Sequence, residues 1–508
     1  MFSQLKNYLK YLLYNIKKLK IKSNSKNIIL NEISDIRSFA IPSSYFCKSL
    51  SQLVDAKIIS YYVTLDPFKA NYKFFLNLIN PLSTYYLYKS FSNKILFSVS
   101  NTKKNKRIFK NIKSKQDLLN FKYKNIEIGD LIYDEYLTMY KLPTINIKSK
   151  QFRDFLFNVE NFIFYWDNYL INNNVKAVVT SHSVYMMGML NRLAITNNIP
   201  SYQVTANVTY RLTKKQFIKW SDQNFYPKQF NKFSQNQKKK LIKNSKQNLE
   251  QRLSGKKDFR YKMSNSIKPV FDNKIKIKKN KRFKNKQKKI LITSHCLSDA
   301  PHVYGKTLFP DFSEWLHFLG KLSLKKKFEN YIWYIKPHPA FYDDEKPFYE
   351  SLTIKYKNFR LLQNDISHNL IINDININYV LTVFGSIAHE YSLFGIPVIS
   401  AGNNPHSGYS FSYNPKNIQA YKKILYNLDK LSLNVNKNKI YEFYGMHHLI
   451  DYSFYDDLNI SFDSVNDHKN LSIFEKFIKI INNNISEKKI NIYQTFIKNK
   501  SLRRLINI

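Results

Sequence analysis

Apolar residues recur at helical spacing from the start of the chain. Leu5, Leu9, Leu12, Ile16 and Leu19 share one face of a predicted helix over 2–20, with Lys6, Lys10 and Lys17 opposite. From about 30 to 270, short apolar runs alternate with helical stretches. The clearest unit is a strand over Val175–Thr180, then Ser181-His182, a helix over 185–194 and a strand over 199–204. Strand, helix, strand in that order is the signature of a parallel sheet.

A second alternation begins at Lys289. A strand over 289–293 precedes a helix with Phe312, Trp315, Leu316, Leu319 and Leu322 on one face. Strands follow at 332–336, 359–362, 379–383 and 397–400, with helices from His368 and over 386–394 between them. That density of strands and helices predicts a doubly wound α/β domain. The pattern divides the chain into a basic amphipathic helix (1–30), a Rossmann-like domain (31–270), a basic linker (271–288), a second Rossmann-like domain (289–440) and a helical C-terminal segment (441–508). The fold class is therefore α/β, two Rossmann-like domains facing a cleft, where ligands usually bind.

Charge adds less than its size suggests. The chain has 508 residues, 81 Lys plus Arg against 36 Asp plus Glu, and a formal charge of +45. Only 11 of the 81 are arginine, the side chain that clamps phosphates and reads bases bidentately. A lysine coating spread over every surface, in a chain also rich in Asn, Ile, Phe and Tyr, follows a compositional bias. Specific nucleic-acid recognition needs clustering. The one dense block, ten Lys/Arg within 274–289, falls where a linker belongs. The N-terminal helix is too charged to span a bilayer, no stretch has 18 uninterrupted apolar residues, and no small-residue cleavage pattern follows it. It is compatible with docking on the body of the protein or with lying on an anionic membrane surface at the inner face of the membrane. Two cysteines, Cys47 and Cys296, exclude a disulfide scaffold and fit a reducing cytosol.

Glycine is scarce, so its placement is informative. Six of the ten glycines lie between 305 and 408, where backbone must turn tightly or approach something closely. Gly385-Ser386 ends a strand and opens a helix, with Ser386 a suitable N-cap and Glu390 one turn deeper. The helix buries Ile387, Tyr391 and Phe394 and stops at Gly395 before Pro397. Its N-terminus is an anion site in expectation, with Glu390 placed to accept from sugar hydroxyls. Lys336-Pro337-His338-Pro339 closes a neighbouring strand, and the two prolines hold an imidazole at the sheet edge. The loop from Ser294 through His295, His302 and Gly305, and the turn Asn403–Gly408 with His406 and Ser407, open over the same edge. The four histidines lack paired carboxylates at ligand spacing, so no metal site is expected.

At these residues the chain resembles GT-B glycosyltransferases of bacterial capsule and lipopolysaccharide assembly. The likeness rests on His302-Val303-Tyr304-Gly305, on Phe309-Pro310-Asp311-Phe312-Ser313-Glu314-Trp315-Leu316, on the Lys336–Pro339 turn, and on Gly385-Ser386 with Glu390, Gly395 and Pro397. In the first half it rests on Ile128-Gly129-Asp130 through Asp134 and on Ser181-His182. The resemblance implies sugar transfer from a nucleotide-sugar donor to a growing surface polysaccharide or lipid-linked glycan, with no cofactor and no essential metal. His338, Gly385 and Ser386 would contact donor phosphates and Glu390 the ribose. His302, Gly305, Ser407 and Lys336 complete the donor set. The first domain would hold the acceptor, with Asp130 as general base and Asp134 or His182 as alternatives. With no arginine in these loops, phosphate charge falls to Lys306, Lys336 and helix dipoles. Two other functions fit parts of the pattern: a non-hydrolysing nucleotide-sugar epimerase and a basic nucleic-acid-binding protein.

Overall fold

The computed structural model describes residues 2–21, 24–65, 72, 75–96, 107–217, 222, 224–256, 270–272, 287–340, 342–432, 435–451, 453–455, 458, 460 and 471–505. Most of the basic block at 274–289 lies outside them. The chain forms two units: Met1–Glu135, Asn146–Lys219 and Asp451–Ile506 make the first, and Tyr136–Ile145 with Trp220–Ile450 the second.

The first unit is built on strands β1 (Ile28–Glu32), β2 (Lys57–Tyr61), β3 (Lys94–Leu96), β6 (Val175–Thr180), β7 (Ser201–Val204) and β8 (Thr209–Leu212), with a separate ribbon of β4 (Lys122–Tyr123) and β5 (Ile126–Glu127). Their order is β3-β2-β1-β6-β7-β8, parallel except for β8. Every residue of β1 is buried, as a central parallel strand covered on both faces requires.

The N-terminal helix (Phe2–Tyr14) and the π-helical turn after it (Asn15–Leu19) dock on this unit by a face that shares only part of the leucine stripe. Tyr8 and Tyr11 of the helix and Asn15 and Leu19 of the π-helical turn are buried, Leu5 and Leu12 lie at the margin, and Leu9 and Ile16 are exposed. The cause is the aromatic character of its partner surface. Tyr8 and Tyr11 pack on Phe474, with ring centroids 5.4 and 4.9 Å apart, and the Tyr8 hydroxyl donates to the carbonyls of Pro81 and Ser83. The chain's last two helices, Ser472–Ile480 and Asn483–Lys498, thus belong to the first unit, although the sequence pattern set 441–508 apart as one segment.

The second unit holds β9 (Lys288–Thr293), β10 (Tyr331–Lys336), β11 (Phe359–Leu361), β12 (Tyr379–Thr382) and β13 (Val398–Ser400), all parallel in the order β11-β10-β9-β12-β13. The helix Phe312–Ser323 buries the five apolar residues its pattern marks, and Asp311 caps it by accepting from the Glu314 N–H at 2.8 Å. The grouping differs from the expected boundary at 270, because the helix Gln235–Leu253 joins this unit. Its buried stripe of Leu241, Ser245, Leu249 and Arg252 packs on the helix Lys437–His448. A Cβ at Gly445 would come within 2.5 Å of the Ser245 Oγ, so glycine permits that approach. Among the described residues no helix is long and apolar enough to cross a membrane.

Candidate functional site

Strand order locates the site. From β9 the chain builds outward through β10 to β11, then returns to the other side of β9 with β12. The two neighbours of β9 leave it in opposite directions at their carboxyl ends, which opens a crevice there. A cavity of about 360 Å³ occupies it, lined by Thr293–His295 after β9, Lys336–Pro339 after β10 and Thr382 with Phe384–Ile387 after β12. Arg252, Val270, His368 and Glu390 complete the wall. Five residues expected at a donor site therefore share one cavity: Lys336, His338, Gly385, Ser386 and Glu390.

Lys336 is buried, and its Nζ donates to the Asn364 carbonyl at 3.1 Å. Among the described residues no carboxylate forms an ion pair with it. Burial lowers its pKa to about 8, with the Asp365 charge opposing. Two residues on, Nδ1 of His338 accepts from the Ala340 N–H at 3.2 Å and lies 3.1 Å from the Cys296 Sγ. An accepting Nδ1 leaves the proton of the neutral ring on Nε2. Burial and the neighbouring Lys336 charge hold His338 below the usual imidazole range, while burial raises the Cys296 thiol to about 12 and keeps it protonated.

The Gly385-Ser386 turn differs in detail from its expected form. Ser386 has helical backbone angles (φ −57°, ψ −21°) and makes no side-chain cap. The helix that follows is only Ile387–Ser392, and Phe394 is exposed beyond it. Six residues carry too few aligned peptides for a strong dipole, so the anion-site expectation shifts to side chains. Gly385 is needed for close approach, since a Cβ there would meet the Thr382 Oγ1 at 2.9 Å. Gly395 has φ +74° and ends the helix, as expected of it.

Arg252 corrects the expectation that no arginine serves these loops. Its Nε donates to Oε1 of Glu390 at 2.6 Å, and both side chains are buried in the cavity wall. The sequence signal was available: Arg252 continues the stripe Leu241, Ser245, Leu249 at helical spacing. His368, expected only as the start of a helix, also lines the cavity. Its Nδ1 lies 2.8 Å from the Tyr391 hydroxyl, and burial together with the Lys336 charge keeps the ring neutral. His295 stacks between Phe312 and Phe384, at centroid distances of 4.8 and 4.3 Å. Its Nε2 accepts from the N–H groups of Val383 and Phe384 at 3.4 and 3.3 Å, which ties the end of β9 to the end of β12. Burial drives its pKa to about 3, so it orients the loop as a neutral ring.

The other expected donor residues lie outside the cavity lining. His302 is buried and its carbonyl accepts from the Gly305 N–H at 2.9 Å; Gly305 takes φ +102°. Ser407 closes a turn by donating to the Asn404 Oδ1 at 2.9 Å. These two loops are joined to each other, Asn403 N–H to the Lys306 carbonyl at 2.8 Å and Thr307 bridging Gly402. His406 is buried against Phe411 and Phe443. Among the described residues no group of three or more His, Cys, Asp or Glu is arranged to hold a metal ion.

In the first unit, both Asp130 oxygens accept from Arg192, one of them at 2.6 Å. Arg192 is itself buried and lies over the Phe217 ring. That ion pair ties Gly129–Tyr140 to the helix Tyr185–Thr196, a structural role that competes with proton abstraction. Asp134 is buried on the same helix. His182 stands at the carboxyl end of β6, its ring edge-on to Phe39 at 5.9 Å. Beside it, Glu32 at the end of β1 accepts from the N–H and Oγ of Ser181 at 2.7 and 3.0 Å.

No family description matches the chain, and no curated protein matches it by sequence. Among solved structures it is similar to the β-Kdo 2,4 transferase of Thermosulfurimonas dismutans KpsC (11% identity, 53% of this chain and 79% of that one, TM-score 0.33). It is also similar to the β-Kdo 2,7 transferase of the same protein (14%, 68% and 94%, TM-score 0.33). A third is the UDP-GlcNAc 2-epimerase of Neisseria meningitidis, bound to UDP-GlcNAc (12%, 89% and 100%, TM-score 0.24).

Proposed function

We propose that this protein is a glycosyltransferase that moves a sugar from a nucleotide-activated donor to a growing surface polysaccharide or lipid-linked glycan. The observation that carries the proposal is Lys336: a buried cation without an ion-pair partner among the described residues, in a cavity at the switch point of a parallel sheet. Burying such a charge costs folding free energy, and an anionic ligand offsets that cost. Two further donors line the same cavity. His338 carries its proton on Nε2, and Arg252 is held in place by Glu390. In sugar transfer the bond from the anomeric carbon to phosphate oxygen breaks and negative charge collects on the departing phosphate. Lys336 and His338 are the groups that would meet it, supplying stabilisation that grows as the bond lengthens. Glu390, fixed by Arg252, is assigned to the ribose. For the acceptor's proton, His182 is preferred to Asp130, whose oxygens are engaged by Arg192.

The test is incubation with a nucleotide sugar, with and without a glycan acceptor. Nucleotide release that depends on acceptor supports transfer. Conversion of the donor sugar to its epimer without acceptor would replace this reading with the epimerase one.

A further inference from the structure

The N-terminal helix presents a side that its docking does not use. Its exposed apolar residues are Phe2, Leu9, Leu13 and Ile16, of which Phe2 is 85% and Leu13 55% exposed. At about 100° per residue Phe2, Leu9 and Leu13 fall in one narrow stripe of the α-helix, and Ile16 follows in the π-helical turn Asn15–Leu19. Lys6, Lys10 and Lys17 flank it, all exposed, and no Asp or Glu occurs between residues 1 and 31. A second apolar surface belongs to the same unit. Residues 75–79 are helical and expose Phe75, Leu76 and Ile79. The chain just after them is tied to the N-terminal helix by the Tyr8 hydroxyl at Pro81 and Ser83. Residues 67–116 also contain no Asp or Glu.

We infer that this side of the first unit seats in the plane of an anionic lipid bilayer. The apolar stripe enters the boundary of the acyl chains and the lysines meet headgroup phosphates, the arrangement of an interfacial amphipathic helix. Charge selects this occupant. A second copy of the chain would bring the same lysines face to face, and a nucleic acid would leave Phe2, Leu9, Leu13 and Ile16 uncovered. The inference does not depend on the chemistry of the cavity in the second unit.

Deleting the helix would strip Tyr8 and Tyr11 from the core, so the outer stripe is the place to intervene. The full chain and the variant Leu9→Gln/Leu13→Gln/Ile16→Gln are sedimented with vesicles of pure phosphatidylcholine or with ~30% phosphatidylglycerol added. The wild type should partition onto the anionic vesicles about tenfold or more better than onto neutral ones, and the variant should lose about tenfold of that binding at an unchanged melting temperature. Should the variant melt early, Lys6→Glu/Lys10→Glu/Lys17→Glu, which leaves the apolar stripe intact, must lose the preference for anionic vesicles instead. Equal binding to both vesicle types overturns the inference, as does undiminished binding by the variants. So does a dimer that the first variant splits without any vesicle binding by the wild type. Nucleotide binding by the same variants stays at the wild-type level, which separates this outcome from failure of the proposed transfer activity.

Discussion

The Sγ of Cys296 lies 3.1 Å from Nδ1 of His338. The thiol is buried and protonated, and the imidazole is its nearer acceptor, with the Ala340 carbonyl at 3.5 Å. Together with the Ala340 N–H, it favours an unprotonated Nδ1 and hence a donor at Nε2. A thiol that donates there stabilises the neutral ring. Replacing Cys296 by Ala is expected to raise the His338 pKa, because a hydrogen bond to the neutral ring is lost. Cys296→Ser should restore the depressed value. Imidazole NMR titration reads this directly, and an unmoved value in the Ala variant removes the thiol from the account.

His338 itself is predicted to matter for turnover more than for folding. His338→Ala should lower turnover about 10²-fold, with the melting temperature within a few degrees of wild type. Wild-type kinetics would reduce His338 to a turn residue between two prolines.

Lys336 should trade stability for ligand. Its pKa is lowered from 10.5 to about 8, so the unfolded state holds the proton more tightly, and stability from this group rises with pH between about 8 and 10.5. At neutral pH the buried charge costs about 3 kcal/mol, less ~1 kcal/mol for its bond to the Asn364 carbonyl. Lys336→Met is therefore expected to raise stability by about 2 kcal/mol in urea unfolding. A loss of stability would mark the lysine as a structural residue. Anion affinity has the opposite pH dependence: it should fall as pH rises past about 8, and a flat profile in calorimetric titration counts against Lys336 as the phosphate group.

Much of this was legible in the sequence, and the exceptions share a physical origin. Short apolar runs mark strands of both parallel sheets, Val175–Thr180 and Tyr379–Thr382, because strands covered on both faces are mostly apolar. Lys336, His338, Gly385, Ser386 and Glu390 were found from strand ends and rare glycines, features set by local backbone geometry. What escaped was long-range. Arg252 meets Glu390 across 138 positions of sequence, and nothing in its lysine-rich helix names the partner. The N-terminal helix was read by leucine spacing, yet its docking is decided by Tyr8 and Tyr11, whose hydroxyls find acceptors only in the folded unit. Asp130 stands after a strand and a glycine as a base would, but its oxygens were claimed by Arg192, 62 positions away.

The Arg252–Glu390 pair gives a further prediction. Both side chains are almost wholly buried, 7% and 1% exposed, so Arg252→Ala should remove one half of a buried ion pair and destabilise by about 3–5 kcal/mol. Arg252→Met/Glu390→Met should lose less than the sum of the single changes. Glu390→Gln, which keeps the shape, should weaken nucleotide affinity about tenfold if the carboxylate meets the ribose. Additive losses in the double variant would mean that the two residues act separately.

The most direct measurement of the central claim is calorimetric titration of CMP, CDP, UDP and GDP into the wild-type protein and into Lys336→Met. One nucleotide class is predicted to bind the wild type at one site per chain, with affinity lost by about 10²-fold or more in the variant. A wild type that binds none of the four at millimolar concentration, or a variant that binds as well as the wild type, would contradict it.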